Sequence, residues 1–248
     1  MKKYELTDDI ITFENKKMFR IKSLIDFGNV KAGELGGYIE KEANLSQIGD
    51  AWVYGNARIS GDARIYGDAE VYGNARISGN AEVYGNARIY GNARIYGNAR
   101  IYSNAEVSGD AWVSGDARIY GNARISGDAW IYGDARIYGN ARIYGNARIY
   151  GDARIYGTSH LFLVGPIGSR NDITTFFKTK ENKIYVHCGC FTGNIADFES
   201  AVENNHAGTK HEVTYKLAIQ LARAQIQNDY IANSKKTELG TKGEYKND

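Results

Sequence analysis

From Ala51 to Thr158 the chain repeats one pattern of apolar and polar positions every six residues, without insertion. The unit is Ala-x-(Ile/Val)-x-Gly-(Asn/Asp), and it occurs eighteen times. Ala holds its slot throughout, Ile or Val holds the third, and Gly holds the fifth except at Ser103. Ala and Ile/Val lie two residues apart, so an extended backbone points both to the same side. The intervening residue points outward. Gly and Asn/Asp then turn the chain, because they tolerate positive φ. Each hexad is therefore a short strand followed by a corner.

Three hexads close a three-sided rung of eighteen residues, and rungs stack by parallel pairing at roughly 4.8 Å. The block predicts six rungs, a prism about 29 Å long at that spacing. No single hexad can bury its own Ile, so stability comes from stacking on neighbours. Each stacked Ile or Val contributes roughly 1.5–3 kcal/mol of burial before chain entropy is subtracted. The period is wrong for a helix, and a sandwich would need irregular turn spacing.

The flanks lack the period. Residues 1–50 read as an amino-terminal cap, with short strands at Tyr4-Glu5-Leu6, Ile10 to Phe13 and Met18 to Ile21 and a hairpin turn at Asn15-Lys16-Lys17. An irregular first rung follows at Ala43 to Ser46. Such a cap hides the open edge of the first rung, which would otherwise invite pairing with another chain. Residues 159–233 read as a small α+β domain. Strands are expected at Leu161 to Val164, Asp172 to Phe177 and Lys183 to Cys188, with a turn at Gly165-Pro166-Ile167-Gly168. Helices are expected over 194–205 and from His211 to about Ile231. Val213, Leu217, Leu221 and Ala224 carry the helical period of the second, and Ile219, Ala222, Ile226 and Tyr230 widen its apolar face. Residues 234–248 form a polar tail.

The hexad resembles the hexapeptide repeat of left-handed parallel β-helices, the fold of many acyltransferases, in which an aliphatic residue is followed four positions later by a small one, as in Ile59 and Ala63. Those enzymes often place Gly directly after the aliphatic residue, whereas here Tyr or Ser stands there. The variant Gly-(Asn/Asp)-Ala-x-(Ile/Val)-x is similar to the YdcK-like solenoids, which carry an acetyltransferase label, and to related proteins of phages and prophages. The stretch from Asp26 to Ser46 resembles their entry segment. Gly165 to Asp172 and Cys188-Gly189-Cys190-Phe191 resemble the terminal domain of phage-encoded solenoids. The resemblance implies an all-β, left-handed single-stranded parallel β-helix with an added α+β domain, and a phage or prophage origin.

Composition narrows the function. The chain has 248 residues and a net charge of +2, which argues against a long nucleic acid as partner. No apolar run approaches a membrane span, and the first residues do not form a signal peptide. Two Cys without a disulfide framework fit a reducing, cytoplasmic setting. The single Pro, Pro166, leaves the ladder uninterrupted.

Residues eighteen apart share a face, so the outward slots form three stripes. Trp52, Glu70, Arg88, Glu106, Arg124 and Arg142 carry mixed charge. Arg64, Glu82, Arg100, Arg118, Arg136 and Arg154 lie beside an all-Tyr column, and four of these Arg follow an Asp by two residues (Asp62, Asp116, Asp134, Asp152), so this stripe reads as self-neutralised. The third stripe holds Arg58, Arg76, Arg94, Trp112, Trp130 and Arg148. Its Arg follow Asn56, Asn74, Asn92 and Asn146, and like charges one rung apart repel by roughly 1 kcal/mol in water. Uncompensated Arg with stacked Trp marks this stripe as a partner-binding or self-association surface, the alternative being a solvated face amplified by duplication.

Hexapeptide acyltransferases use a His base and acetyl-CoA, but residues 51–158 contain no His, Cys or inserted loop. The candidates for such a base are His160, His206 and His211. Fold alone does not carry function, and the missing base in the repeat argues against catalysis. Elsewhere, the Gly165–Asp172 segment, with Ser169 and Arg170, could cradle an anion, against a bland reading as a tight turn. His187-Cys188-Gly189-Cys190 lacks a fourth metal ligand, and its Cys read as buried reduced thiols on one strand face. Three readings follow. The first is a non-catalytic binding protein, a homodimer or homotrimer, that sequesters or blocks a host protein or a small phosphorylated, nucleotide-like anion. The others are an acetyl-CoA-dependent acyltransferase and a structural spacer.

Overall fold

Each hexad contributes one two-residue strand, eighteen in all, here β4 (Trp52–Val53) through β21 (Arg154–Ile155). The computed structural model describes residues 1–227 and divides the chain into Met1–Gly157 and Thr158–Asp248. The expected continuation of the last helix through Tyr230 and Ile231, and the tail 234–248, lie outside the described residues.

Strands pair in parallel with the strand eighteen residues away, so three sheets form the sides of a β-solenoid of about seven turns. Ile59, Ile77 and Ile95 are in direct register. All the repeat Ala and the Ile/Val of the third slot are buried. The Trp52 N–H donates to the Ala69 carbonyl at 3.0 Å and the Tyr54 N–H to Val71 at 2.7 Å, a pattern repeated up the stack. Gly at the corner is a geometric requirement. Gly109 has φ 68, and a Cβ there would lie 2.7 Å from the Gly127 nitrogen of the next rung. Ser103 adopts the same left-handed conformation, φ 61, where an L side chain is strained.

The cap is β1 (Tyr4–Phe13), β2 (Lys16–Ser23) and β3 (Leu35–Ile39). Its turn sits at Glu14-Asn15, both left-handed, one residue before the expected position. β1 and β2 pair antiparallel, β2 pairs with β3, and β3 pairs in parallel with Arg58–Ile59, so the cap continues one side of the solenoid. The irregular first turn takes in β3 and Leu45, which bridges to Ile65. Buried Asn44 donates its amide to the carbonyls of Gly61 and Ala63. Trp52 occupies an outward slot by sequence but is fully buried, packed edge-on against Tyr4 and Phe27 of the cap.

The second unit is an antiparallel sheet of β22 (Leu161–Ile167), β23 (Asp172–Lys178), β24 (Ile184–Cys188) and β25 (Phe191–Asn194) in chain order, with helices α1 (Ile195–His206) and α2 (Lys210–Gln227). β22 runs on through Ile167, so the turn expected at Gly165–Gly168 lies instead between Ile167 and Asp172. Asn194 caps α1 by accepting from the N–H groups of Ala196 and Asp197, both at 2.9 Å. Phe198 and Val202 are buried as their spacing requires. In α2 half of the expected apolar face is buried, the half carrying Ile219, Ala222 and Ile226, and the half carrying Val213, Leu217, Leu221 and Ala224 is not. Tyr215, Ala218, Ile219, Ala222 and Ile226 are buried, while Val213, Leu217 and Leu221 are more than half exposed. Two apolar stripes compete on this helix, and the one carrying the Tyr215 ring packs on Phe198. Among the described residues no helix is long and apolar enough to cross a membrane.

Candidate functional site

In the second unit, the turn after β22, the end of β24 and the helices enclose a concavity of about 460 Å³. Ser169, Arg170 and Asp172 come from the turn, Cys188, Gly189 and Cys190 from the end of β24, and Asn205, His206 and Tyr215 from the helices. Phe191 and Phe198 supply an apolar wall, their ring centres 5.0 Å apart. The two short sequence signals of this domain, separated in the chain, thus meet in one place. The Arg170 side chain lies across Gly189, whose missing Cβ would sit 3.2 Å from Arg170 Cδ.

Tyr215 is the hub. The Thr174 hydroxyl donates to Cys188 Sγ at 3.2 Å, and the Cys188 thiol donates to the Tyr215 oxygen at 3.5 Å. Burial pushes the Tyr215 phenol well above its ordinary range, and the Cys188 contact pushes the same way, while the Arg170 charge and the Ser169 N–H oppose both. The phenol is therefore a neutral donor and acceptor at the floor of the site. His206 packs 5.5 Å from Tyr215 and 5.9 Å from His211, ring centre to ring centre. Neither Cys matches the expectation of a buried thiol: Cys188 is half-buried and Cys190 exposed, because the strand ends between them. His160 is fully buried, which removes it as a base for a solvent-borne substrate. His206 is the candidate base that lines the concavity.

The solenoid faces satisfy themselves to a large degree. On the Trp52 face Arg88 pairs with Glu70 at 3.2 Å and Arg124 with Glu106 at 3.6 Å. On the Arg64 face Arg100 pairs with Glu82 at 3.3 Å, and Tyr66, Tyr84, Tyr102, Tyr120 and Tyr138 stack at 4.7–5.0 Å. The Asp–Arg pairing expected there does not form. Among the described residues no Arg forms an ion pair with the carboxylate of the Asp two positions before it; Arg154 donates instead to the backbone carbonyl of Asp152 at 3.2 Å, and Asp62 pairs with Lys41. The corners carry side-chain ladders instead, as in Asn86 to Asn104 to Asn122 to Asn140.

The third stripe is brought together as one column, in two parts. Arg58 and Arg76 lie over the ring of Phe13, at 4.5 and 4.7 Å, and Glu14 is 4.0 Å from Arg76, so the cap hairpin covers them. Higher up, Arg94 lies over Trp112, Trp112 stacks on Trp130 at 5.1 Å, and Arg148 lies over Trp130 at 4.3 Å. Cation–π contacts of this kind offset the repulsion between stacked guanidinium groups.

The sequence model for the YdcK β-solenoid repeat matches residues 51–67, 57–73, 63–79, 81–97, 87–100, 93–109, 117–133, 135–147 and 147–161. Residues 51–161 are a YdcK-type β-solenoid. No curated protein matches the chain. The matches end at residue 161, before the first residue that lines the concavity, Ile167, so the concavity lies outside the YdcK-type repeat. Sequence reasoning named Ser169, Arg170 and His206 but missed Tyr215, whose only signal was its place on the buried stripe of α2. It also missed Phe13, which reaches the YdcK-type repeat from far away in the chain.

Proposed function

We propose that this is a non-catalytic binding protein whose second unit takes up a small phosphorylated, nucleotide-like anion, with the solenoid as a stiff carrier. The observation that supports it is the meeting of Arg170, Ser169 and the Tyr215 hydroxyl in one concavity walled by Phe191 and His206. A guanidinium fork and a hydroxyl suit phosphate oxygens, and ring walls suit a planar base. The volume falls in the range of small-molecule sites. On this reading the chain retains its ligand unchanged, which fits sequestration of a host metabolite by a phage-type solenoid.

His206 in the same concavity is what favours the second reading, an acyltransferase with His206 as base and acetyl-CoA as donor. One experiment separates the two. The purified chain is denatured and the released small molecules identified by mass spectrometry. The refolded, emptied chain is then titrated calorimetrically with adenosine monophosphate, inorganic phosphate and acetyl-CoA. Sequestration requires saturable binding of the mononucleotide that Arg170→Glu abolishes. Binding of acetyl-CoA alone, with acetyl transfer lost in His206→Ala, would replace it with the enzyme reading. Heat from none of the three, with nothing released, would end both.

A further inference from the structure

On the Arg58 face, two departures from the repeat fall on the same rungs. Trp112 and Trp130 replace Arg in the outward slot, and Trp130 and the neighbouring Tyr132 are 40% and 43% exposed. The corners at both ends of these strands change as well. Asn74 donates to Asn92 and Asn92 to Asp110, and on the other corner Asn80 donates to Asn98 and Asn98 to Asp116. There both ladders stop. Asp128 follows Asp110, and Asp134 follows Asp116, one rung on. A carboxylate has no N–H to pass on, so each of these corners stacks like charges where Asn would have continued a bonded ladder. All four Asp are exposed, and among the described residues no cation pairs with their carboxylates; Arg148 and Arg154 donate to the backbone carbonyls of Asp128 and Asp134 instead. Asp also stacks on Asp at Asp50–Asp68 and Asp134–Asp152, so it is the coincidence of Asp on both corners with the Trp pair that marks this surface.

We propose that this patch, Trp112 and Trp130 with Asp110, Asp128, Asp116 and Asp134 at its shoulders, docks a basic protein segment. The choice of partner rests on charge and ring geometry. Rows of carboxylate on both shoulders repel a nucleic-acid backbone and attract Arg or Lys. The indole faces are taken up by each other and by Arg94 and Arg148, which leaves no open ring face for stacking a sugar or a base. What remains is the exposed edge of the Trp pair, with Arg94 and Arg148 at its ends and an acidic row on either side, suited to an extended chain with alternating basic and apolar side chains. Exposed Trp and Tyr are the residue types that anchor such contacts.

The test uses the full chain and a twelve-residue peptide of alternating Arg and Leu, followed by tryptophan fluorescence. Trp52 is fully buried, so Trp112 and Trp130 report the event. The expected result is saturable quenching. Replacement of Asp110, Asp116, Asp128 and Asp134 by Asn weakens it roughly tenfold, as four exposed charge contacts allow. Trp112→Ala with Trp130→Ala, read by calorimetry, weakens it comparably. Amide replacement of Glu5, Asp8, Glu34 and Glu181 leaves it within about twofold, the scale of net-charge effects alone. The Asp→Asn variant melts no lower than the parent, since its ladders lengthen, so misfolding cannot mimic the loss. Equal weakening by the control variant, or no effect of removing the Trp pair, overturns the proposal. So does sedimentation showing that the free chain self-associates through this patch and that the Asp→Asn variant dissociates it, because the occupant is then a second copy.

Discussion

The Lys3 ammonium donates to the carbonyl oxygen of Ala51 at 2.9 Å and to that of Gly49 at 3.1 Å. Elsewhere in the solenoid the carbonyls at these slots accept an N–H from the preceding turn, as Ala69 accepts from Trp52. At the first turn there is no such strand, and one side chain closes the ladder. Lys3 is 2% exposed and also lies 4.9 Å from the Phe27 ring centre. Lys3→Met leaves the buried Ala51 carbonyl without a donor and removes the bond to the carbonyl of exposed Gly49, and is expected to cost about 2 kcal/mol in urea unfolding. Burial lowers the Lys3 pKa from 10.5 to about 8, against the pull of Asp50 and Asp68. Between about pH 8 and pH 10 the unfolded chain therefore binds the extra proton, and this group makes stability rise with pH. That rise, measured from unfolding curves at pH 8 and pH 10, is expected to vanish in Lys3→Met.

The tyrosines act in the opposite sense at higher pH. Burial pushes the Tyr54 phenol up to about 12, with Glu70 and Glu34 adding to it. Burial also raises Tyr66, Tyr72, Tyr102 and Tyr138, with neighbouring tyrosines in the same columns as a further cause. The unfolded phenols ionise near pH 10. Above that the unfolded chain has lost protons the folded chain keeps, so stability falls as pH rises from about 10 through about 12. Ultraviolet absorbance of phenolate is expected to lag behind free tyrosine, then climb together with loss of the β-sheet circular dichroism signal. Phenolate appearing at pH 10 with the sheet signal unchanged would show that the columns do not hold their protons.

How far the sequence led can be read from particular residues. An unbroken period of six fixes which residue lies over which, so the column Arg94, Trp112, Trp130, Arg148 could be written down before any coordinates. What the period could not supply were contacts made from outside it. Phe13 under Arg58 and Arg76, and Lys3 at Ala51, depend on where a remote hairpin lands, and no local pattern encodes that. In α2 two apolar stripes of similar strength coexist, and the pattern alone joined Leu217 and Ile219 in one wide face; packing within the unit, with Tyr215 edge-on to Phe198, buries the Ile219 stripe and leaves the Leu217 stripe outside. Ser169 and Arg170 were visible as a turn, but their meeting with His206 is a tertiary event. The Asp corners were visible too, and were misassigned to their neighbouring Arg, because a separation of two residues says nothing of direction around a corner.

Gly168 offers a direct handle on the candidate site. It has φ 75, and a Cβ built there would run into the Tyr215 hydroxyl and Cζ, on a side chain that is 5% exposed and held in the core of its unit. Gly168→Ala therefore combines a left-handed backbone with a clash that only displacement of the phenol can relieve. The ring cannot move without giving up its contacts with Phe198 and Cys188. The expected outcome is a loss of at least about 2 kcal/mol in the stability of this unit, the sum of backbone strain and displaced packing. Binding at the concavity is expected to fall with it. Tyr215→Phe keeps the ring and removes the oxygen, so it is expected to fold and to lower ligand affinity alone. Gly168→Ala melting and binding as the parent does would mean that the turn carrying Ser169 and Arg170 does not rest on Tyr215.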